Sequence, residues 1–306
     1  MNDTAIVIVT YNSSLEIERC LKAALPTGAQ ILVIDNASKD ETAAVVRRFP
    51  VQLIVNATNR GFAGAVNQGV RETGAAYVLL LNPDAVLASE ITILRELLRD
   101  TSVGATAGLL TNGTGQPQAG FTVRRFPTPL SLVFEVLGLN RIFPRNPVNW
   151  RYRCFDLRLS GTAPVRVDQP AGAFLMFRRS SWEGMGGFDE QFHPLWFEDV
   201  DFCARLAGQG KRILLAPEAR AEHTGAHSIL NMALEIRQIY WYGNLLRYAS
   251  KHFSPPNRKL VCASVILGAG LRYMGDVLSR QMGYRQASVW GQVARLAIRC
   301  FCGAPI

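Results

Sequence analysis

Two acidic clusters and one histidine are the residues of this 306-residue chain best placed by type and spacing to do chemistry. In W-F-E-D-V-D-F, Trp196 to Phe202, three acids fall within four positions where a helix is expected to start. The helix dipole favours acids there, so capping alone would explain them. Yet Glu198 and Asp199 follow an aromatic stretch, F-H-P-L-W-F, that can restrict solvent, and desolvation raises a carboxyl toward the range a general base needs. Glu198 and Asp199 are therefore the catalytic candidates, and Asp201 is spaced to point elsewhere. In L-L-L-N-P-D, Asp84 is a hard oxygen donor suited to Mg²⁺ or Mn²⁺, with Asn82 as a neutral oxygen beside it. His223, after the last strand-like segment, can complete a metal sphere with Asp84. His193, His227 and His252 read as structural or superficial.

Two further segments carry groups that suit a nucleotide. Asp35 closes I-L-V-I-D and can accept hydrogen bonds from a pyrimidine imide or a ribose hydroxyl, although Asp-Asn is also an ordinary turn. In N-R-G-F-A-G-A-V-N-Q-G, Asn59 to Gly69, Gly61 and Gly64 permit close backbone approach, and free N–H groups at the following helix start can face phosphates. The alternative is that the glycines only allow tight helix–sheet packing. The chain contains neither G-x-G-x-x-G nor G-x-x-x-x-G-K-[ST], so NAD and P-loop readings lose their best support.

The elements that must position these groups alternate. Ala5 to Thr10, Ile31 to Ile34, Val51 to Val55 and Tyr77 to Leu81 are short apolar runs expected as buried parallel strands. Between them, Ile17 to Leu25, a segment ending at Phe49, and Gly64 to Arg71 are expected as helices, the first two entered through capping boxes at Ser13/Glu16 and Ser38/Glu41. This alternation calls for an α/β fold with a doubly wound, mostly parallel sheet and ligands at the carboxyl ends of the strands, where Asp35, Asn59 and Asp84 converge. Thr111 to Pro170 is irregular and reads as an excursion from the sheet. Ala173 to Phe177 and Ile213 to Ala216 return as strands around a helix over Glu198 to Gly208, and after Ser228 the pattern is wholly helical. The boundaries expected are one domain over 1–227, divided near 110 into two halves, and a helical extension over 228–306.

Charge is uneven. Of the net +9, the stretch from Tyr240 to Ile306 holds nine Lys or Arg against Asp276 alone. That tail also contains the uncharged run Leu260 to Leu271, shorter than the roughly 20 residues of a spanning helix, and a stripe at Val289, Trp290, Val293, Leu296 and Ala297. Two readings stand: apolar faces lying on an anionic membrane surface, or faces buried inside the protein or against a second copy in a homodimer. The six cysteines have no paired spacing beyond C-F-C, and the N-terminus has no basic, signal-like segment, so a reducing cytoplasm is expected. Nucleic acid is a poor partner for a near-neutral body whose basic tail is interrupted by apolar runs.

As an ordered set, V-T-Y-N-S (Val9 to Ser13), V-I-D-N-A-S (Val33 to Ser38), N-R-G-F-A-G-A-V-N (Asn59 to Asn67), L-N-P-D (Leu81 to Asp84), G-A-F-L-M-F-R-R (Gly172 to Arg179), G-G-F-D-E-Q-F (Gly186 to Phe192) and F-E-D-V-D-F (Phe197 to Phe202) resemble the family 2 inverting glycosyltransferases of the GT-A fold. Within that family they resemble the bacterial rhamnosyltransferase-like group. The resemblance implies a nucleotide-sugar donor, dTDP-L-rhamnose before a UDP-hexose or galactofuranose donor, and a lipid-linked or saccharide acceptor. It implies Thr10 and Tyr11 bordering the nucleotide, Asp35 on the base, and Asn59, Gly61, Gly64 and Asn67 on the nucleotide side. Asp84 matches the last acid of the family's D-x-D, whose first acid is Asn82 here, and His223 resembles its third metal-site residue, for Mg²⁺ or Mn²⁺. Asp199 matches the base, with Glu198 orienting acceptor or helix. Trp196, Tyr240, Arg247 and Lys251 are the acceptor-side candidates, and a peripheral position on the inner face of the cytoplasmic membrane follows from the tail. A sugar-1-phosphate nucleotidyltransferase is the rival class, but V-T-Y-N-S-S-L-E lacks the glycine-rich basic loop it would need.

Overall fold

The computed structural model describes residues 3–157, 159, 161–225, 232–278 and 284–306. In chain order its elements are β1 (Thr4–Thr10), α1 (Ile17–Ala24), β2 (Gln30–Asp35), α2 (Thr42–Val46), β3 (Gln52–Val55), α3 (Gly61–Glu72), β4 (Tyr77–Leu81), β5 (Ala85–Leu87), α4 (Thr92–Leu97), β6 (Val103–Thr111) and β7 (Val123–Arg124). There follow α5 (Pro129–Val136), α6 (Leu139–Ile142), α7 (Pro147–Tyr152), β8 (Val165–Val167), β9 (Gln169–Pro170), β10 (Phe174–Arg178), α8 (Arg179–Gly184), α9 (Glu198–Gly208) and β11 (Arg212–His223). The chain ends in α10 (Leu234–His252), α11 (Pro255–Leu278) and α12 (Tyr284–Phe301). They group into two units: Met1–Arg125 with Arg153–Pro194 and Glu198–Ser228, and Phe126–Tyr152 with Leu195–Phe197 and Ile229–Ile306.

The first unit is an α/β fold of the GT-A type built on a nine-stranded sheet ordered β3-β2-β1-β4-β10-β6-β11-β5, with β8 on β11. Its first four strands are parallel, as their apolar runs predict. Alternate residues of β2 show why those runs are continuous. Ile31 and Val33 pack with α1 residues Ile17, Cys20 and Leu21 on one face, while Leu32 and Ile34 meet Ala65 of α3 on the other. Each such buried aliphatic side chain contributes about 1.5–3 kcal/mol relative to exposure. Beyond β4 the sheet turns mixed, because β10 runs antiparallel between β4 and β6. β11 is far longer than the apolar run Ile213 to Ala216: a register shift between Ala216 and Arg220 absorbs Pro217, and the strand resumes along Leu109–Thr111 and β5.

Neither expected capping box forms. The caps of α1 and α2 fall at Glu16 and Glu41 without a side-chain bond. The serine hydroxyls are used elsewhere: Ser13 Oγ accepts from Tyr11 N at 3.4 Å and Ser38 Oγ from Asn12 N at 2.9 Å, while Ser38 N turns back to Asp35 Oδ2 at 3.1 Å. A capping box does occur at Thr128, whose Oγ1 accepts from Ser131 N while Thr128 N donates to Ser131 Oγ.

Asp201, expected to point elsewhere, is wholly buried. Its Oδ2 accepts from Arg205 Nε at 2.7 Å, and the same guanidinium donates to Met185 O and Gly187 O. Beside it, Phe188 stacks on Phe202 with ring centroids 4.2 Å apart.

In the helical unit, α12 lays Val289, Trp290, Val293 and Ala297 into the interior against α10 and α11. This corrects the expectation that the Val289 stripe could lie on a membrane. α11 also runs past Arg272, which does not end it: the guanidinium turns back to Gly268 O at 2.9 Å and lies 5.4 Å over the Trp290 ring. The opposite face of α11, Leu260, Leu267, Leu271, Met274 and Leu278, is exposed. By length and composition α11 is the described helix that could cross a membrane. Residues 126–152, read from sequence as an excursion from the sheet, group with these helices, α5 packing on α11.

Candidate active site

Antiparallel pairing of the short β5 with the end of β11 sets His223 opposite Ala85 and so beside Asp84. His223 Nε2 lies 3.4 Å from Asp84 Oδ1, and both side chains are buried. Asp84 Oδ2 accepts from Gly225 N at 2.9 Å. Burial pushes the Asp84 carboxyl up, but the His223 hydrogen bond and charge and the Gly225 N–H outweigh it, holding the group below its ordinary range. The pair is therefore an anionic oxygen and an imidazole nitrogen aimed at one point, a donor set that fits a divalent cation. Among the described residues no third His, Cys, Asp or Glu joins them, so the remaining ligands would be phosphate oxygens and water.

Gln118, which sequence reasoning missed, decides which nitrogen of His223 is available. Its Nε2 donates to His223 O at 2.6 Å, which turns Oε1, an acceptor only, to His223 Nδ1 at 3.2 Å. Nδ1 must therefore carry a proton, and Nε2, which faces Asp84, is the nitrogen that donates to the carboxylate here and, with its proton released, would meet a cation. Phe121 stacks on the ring at 5.1 Å and fixes its plane. Gln118→Leu is expected to weaken Mn²⁺ binding about 10- to 10²-fold, measured by Mn²⁺ EPR on the isolated protein, while Gln118→Glu retains it.

Asp199 opens α9 and keeps some exposed surface while its carboxyl group is enclosed by protein. Oδ2 accepts from Gly172 N at 2.9 Å and Oδ1 from Val200 N at 2.8 Å. A Cβ at Gly172 would stand 3.1 Å from the Asp199 Cβ, so glycine is what lets the strand entry approach so closely. Burial raises the Asp199 pKa above the usual aspartate value, against the two N–H groups and the Arg124 charge. Glu198 is pushed well above its ordinary value by burial and then by the Asp199 charge, and its Oε2 has no hydrogen-bond partner among the described residues. The two neighbours thus differ: the Asp199 carboxyl is held between two N–H donors, and the Glu198 carboxyl is buried with one open oxygen.

Thr10 and Asp35 are in register at the ends of β1 and β2. Both are buried, and Thr10 Oγ1 donates to Asp35 Oδ1 at 2.9 Å. Tyr11 follows, half-buried. Asn36, unnoticed in the sequence, anchors the segment after it: Nδ2 donates to Asn59 Oδ1 and Gly61 O, and Oδ1 accepts from Arg60 N and Asn56 Nδ2. Its signal was the spacing of asparagines at the ends of adjoining strands.

The glycine segment differs from expectation. Gly61 has φ +74 and no room for a Cβ beside the His193 ring, while Gly64 packs near Glu190. Gly61 N donates to Asn59 Oδ1 and Phe62 N to Pro194 O, so those N–H groups at the start of α3 are already used. Asn67, expected on the nucleotide side, is instead bonded at four points to α8 and the segment after it: Nδ2 donates to Phe188 O and Glu190 Oε1, and Oδ1 accepts from Trp182 Nε1 and Phe188 N. Asn82 N donates to Ala173 O, tying the turn before Asp84 to the entry of β10.

In the helical unit Trp196, at φ +77, and Tyr240 are partly exposed, and Lys251 is exposed. Arg247, expected on the acceptor side, donates instead to Asn244 Oδ1 at 2.6 Å and to Ile306 O at 2.8 Å. His227 lies outside the described residues.

The profile of glycosyl transferase family 2 matches residues 5–183. An N-acetylglucosaminyl-diphospho-decaprenol L-rhamnosyltransferase of Mycobacterium tuberculosis is 31% identical over 242 residues, covering 73% of this chain and 76% of the relative. The chain belongs to glycosyl transferase family 2. Rhamnosyltransferase WbbL of Escherichia coli is 25% identical to this glycosyltransferase over 198 residues, covering 63% and 69% of the two chains. Among solved structures, a mannosyltransferase from Pyrobaculum calidifontis in complex with GDP-Man and Mn²⁺ aligns with TM-score 0.54 and 17% identity, covering 97% of this chain and 86% of that one. That likeness is one of fold, shared from the parallel strands through the helical region.

Proposed function

We propose that the glycosyltransferase moves L-rhamnose from dTDP-L-rhamnose to a hydroxyl of a lipid-linked or polysaccharide acceptor during cell-surface glycan synthesis. The observation that carries this reading is the 31% identity over 73% of the chain to a rhamnosyltransferase named for a diphospho-decaprenol acceptor. In this reading Asp199 takes the proton of the acceptor hydroxyl while that oxygen attacks the anomeric carbon on the face opposite the diphosphate. The bond from C1 to the diphosphate oxygen breaks, nucleoside diphosphate leaves and configuration inverts. Gly172 N–H and Val200 N–H hold the carboxylate still for the transfer. Glu198 offers its open Oε2 to the acceptor as a hydrogen-bonding group. Thr10, Tyr11 and Asp35 border the nucleotide, and Trp196, Tyr240 and Lys251 serve the acceptor side. Asp84 and His223 would hold Mg²⁺ or Mn²⁺, which supplies positive charge to the departing diphosphate.

The helical unit rests on the anionic inner face of the cytoplasmic membrane through the exposed apolar face of α11, supported by the tail's excess of basic residues. A screen of nucleotide sugars with a prenyl-diphosphate acceptor tests the donor and the reaction together. Release of dTDP from dTDP-L-rhamnose is expected. Turnover of a UDP sugar with none of dTDP-rhamnose would overturn the donor, and release of pyrophosphate would make the protein a nucleotidyltransferase.

A further inference from the structure

Between Val136 and Tyr152 the chain carries Arg141, Arg145 and Arg151 and no acid. The segment forms a helical hairpin, α6 and α7, in the helical unit. At its tip Ile142 is 66% and Phe143 63% exposed, and Trp150 on α7 is 45% exposed. Arg141, Pro144, Arg145 and Arg151 are exposed beside them.

The exposure is built into the hairpin by its asparagines. Asn146 Nδ2 donates to Phe143 O at 2.7 Å and to Asn140 Oδ1 at 3.0 Å, and Asn140 Nδ2 donates to Glu135 Oε2 at 2.7 Å. Buried Asn149 donates from Nδ2 to Pro144 O at 2.7 Å and from its backbone N to Asn146 Oδ1 at 2.8 Å. These bonds satisfy the carbonyls of the tip, so Ile142 and Phe143 stand out from an ordered turn. Two adjacent large apolar side chains held in water between arginines suit something that is apolar at depth and anionic at its surface.

We propose that the α6–α7 hairpin is a bilayer-inserting tip, in which Ile142 and Phe143 enter the acyl boundary of an anionic membrane while Arg141, Arg145 and Arg151 meet lipid phosphates. The inference rests on the membrane reading above and adds to α11 a second contact from the middle of the chain. Charge selects this occupant. A second copy seated tip to tip would bring three arginines against three with no acid between them, and Ile142, Phe143 and Trp150 together are too small an apolar area for a stable protein interface. Basic residues near anionic lipid and an aromatic residue at headgroup depth are favoured together.

The test uses the full chain carrying Phe143→Cys with Cys302→Ser, because Cys302 is the exposed native thiol. A nitroxide on that cysteine is compared by EPR power saturation with one on Glu218→Cys, an exposed position in the sheet unit. Vesicles are phosphatidylcholine with or without phosphatidylglycerol. The label at 143 is expected to become protected from a water-soluble nickel relaxant and open to oxygen on anionic vesicles only, while the label at 218 stays in water. Replacing Arg141, Arg145 and Arg151 together by Gln should weaken flotation with those vesicles about 10²-fold, with an unchanged thermal melt. If the native chain floats in a salt-sensitive manner but the label at 143 stays in water and the triple variant floats equally, the tip is refuted and docking through α11 stands. If the native chain does not float on anionic vesicles, both readings fall.

Discussion

Asp199→Asn is expected to lower kcat by about 10² to 10⁴-fold with donor binding nearly unchanged. Asparagine has almost the same shape but cannot accept the proton, and with one oxygen it can serve only one of the Gly172 and Val200 N–H groups. The pH profile carries the sharper readout. Because burial raises the Asp199 pKa, the acid limb of kcat/KM should lie above the ordinary aspartate range, the rate falling as pH falls through it and the base becomes protonated. The asparagine variant should lack that limb. Glu198, whose pKa burial pushes well above its ordinary value, should behave differently: Glu198→Gln keeps the limb and disturbs acceptor KM. If Glu198→Gln removes the limb and Asp199→Asn keeps it, the two roles are exchanged.

Asp84→Asn should cost at least about 10²-fold in turnover, and EDTA should abolish transfer until Mn²⁺ or Mg²⁺ is returned. The substitution keeps an oxygen for Gly225 N–H but removes the negative charge that His223 faces at 3.4 Å. Among the described residues no third acidic or histidine ligand stands by to compensate. Mn²⁺ affinity of the isolated protein should fall with turnover. Full activity of folded, metal-free protein in chelator would remove the cation from the reaction.

The parallel half of the sheet was legible because its strands are covered on both faces, which writes a continuous apolar run into each. The mixed half was not, since β5 has three residues and β11 hides its far end behind Pro217. Asp84 and His223 could be proposed from residue type, but what joins them is that β5–β11 pairing. Ser13 and Ser38 misled as caps because Ser13 Oγ accepts from Tyr11 N, behind it in the chain, and Ser38 Oγ is held between Asn12 N of the neighbouring loop and Asp35, so neither hydroxyl is left for a helix start. Asn67 sits inside the motif that resembles the family, yet its three partner residues, Trp182, Phe188 and Glu190, are 115 to 123 residues away. The Val289 stripe had the period of a membrane face and of a core face alike, and only the packing of α10 and α11 distinguished them.

The Asp201–Arg205 pair bears on how any mutational survey of this enzyme will read. Asp201 stands two positions from Asp199, the proposed base, and, wholly buried, holds the guanidinium that braces the turn at Gly186 and Gly187. Removing one partner of such a pair costs about 3 kcal/mol or more, a large share of the stability of a typical domain. A screen scored by product alone would therefore rank Asp201 with Asp199. Scored by soluble yield as well, the two separate: one acid lost leaves a folded protein without chemistry, and the other leaves less folded protein to assay.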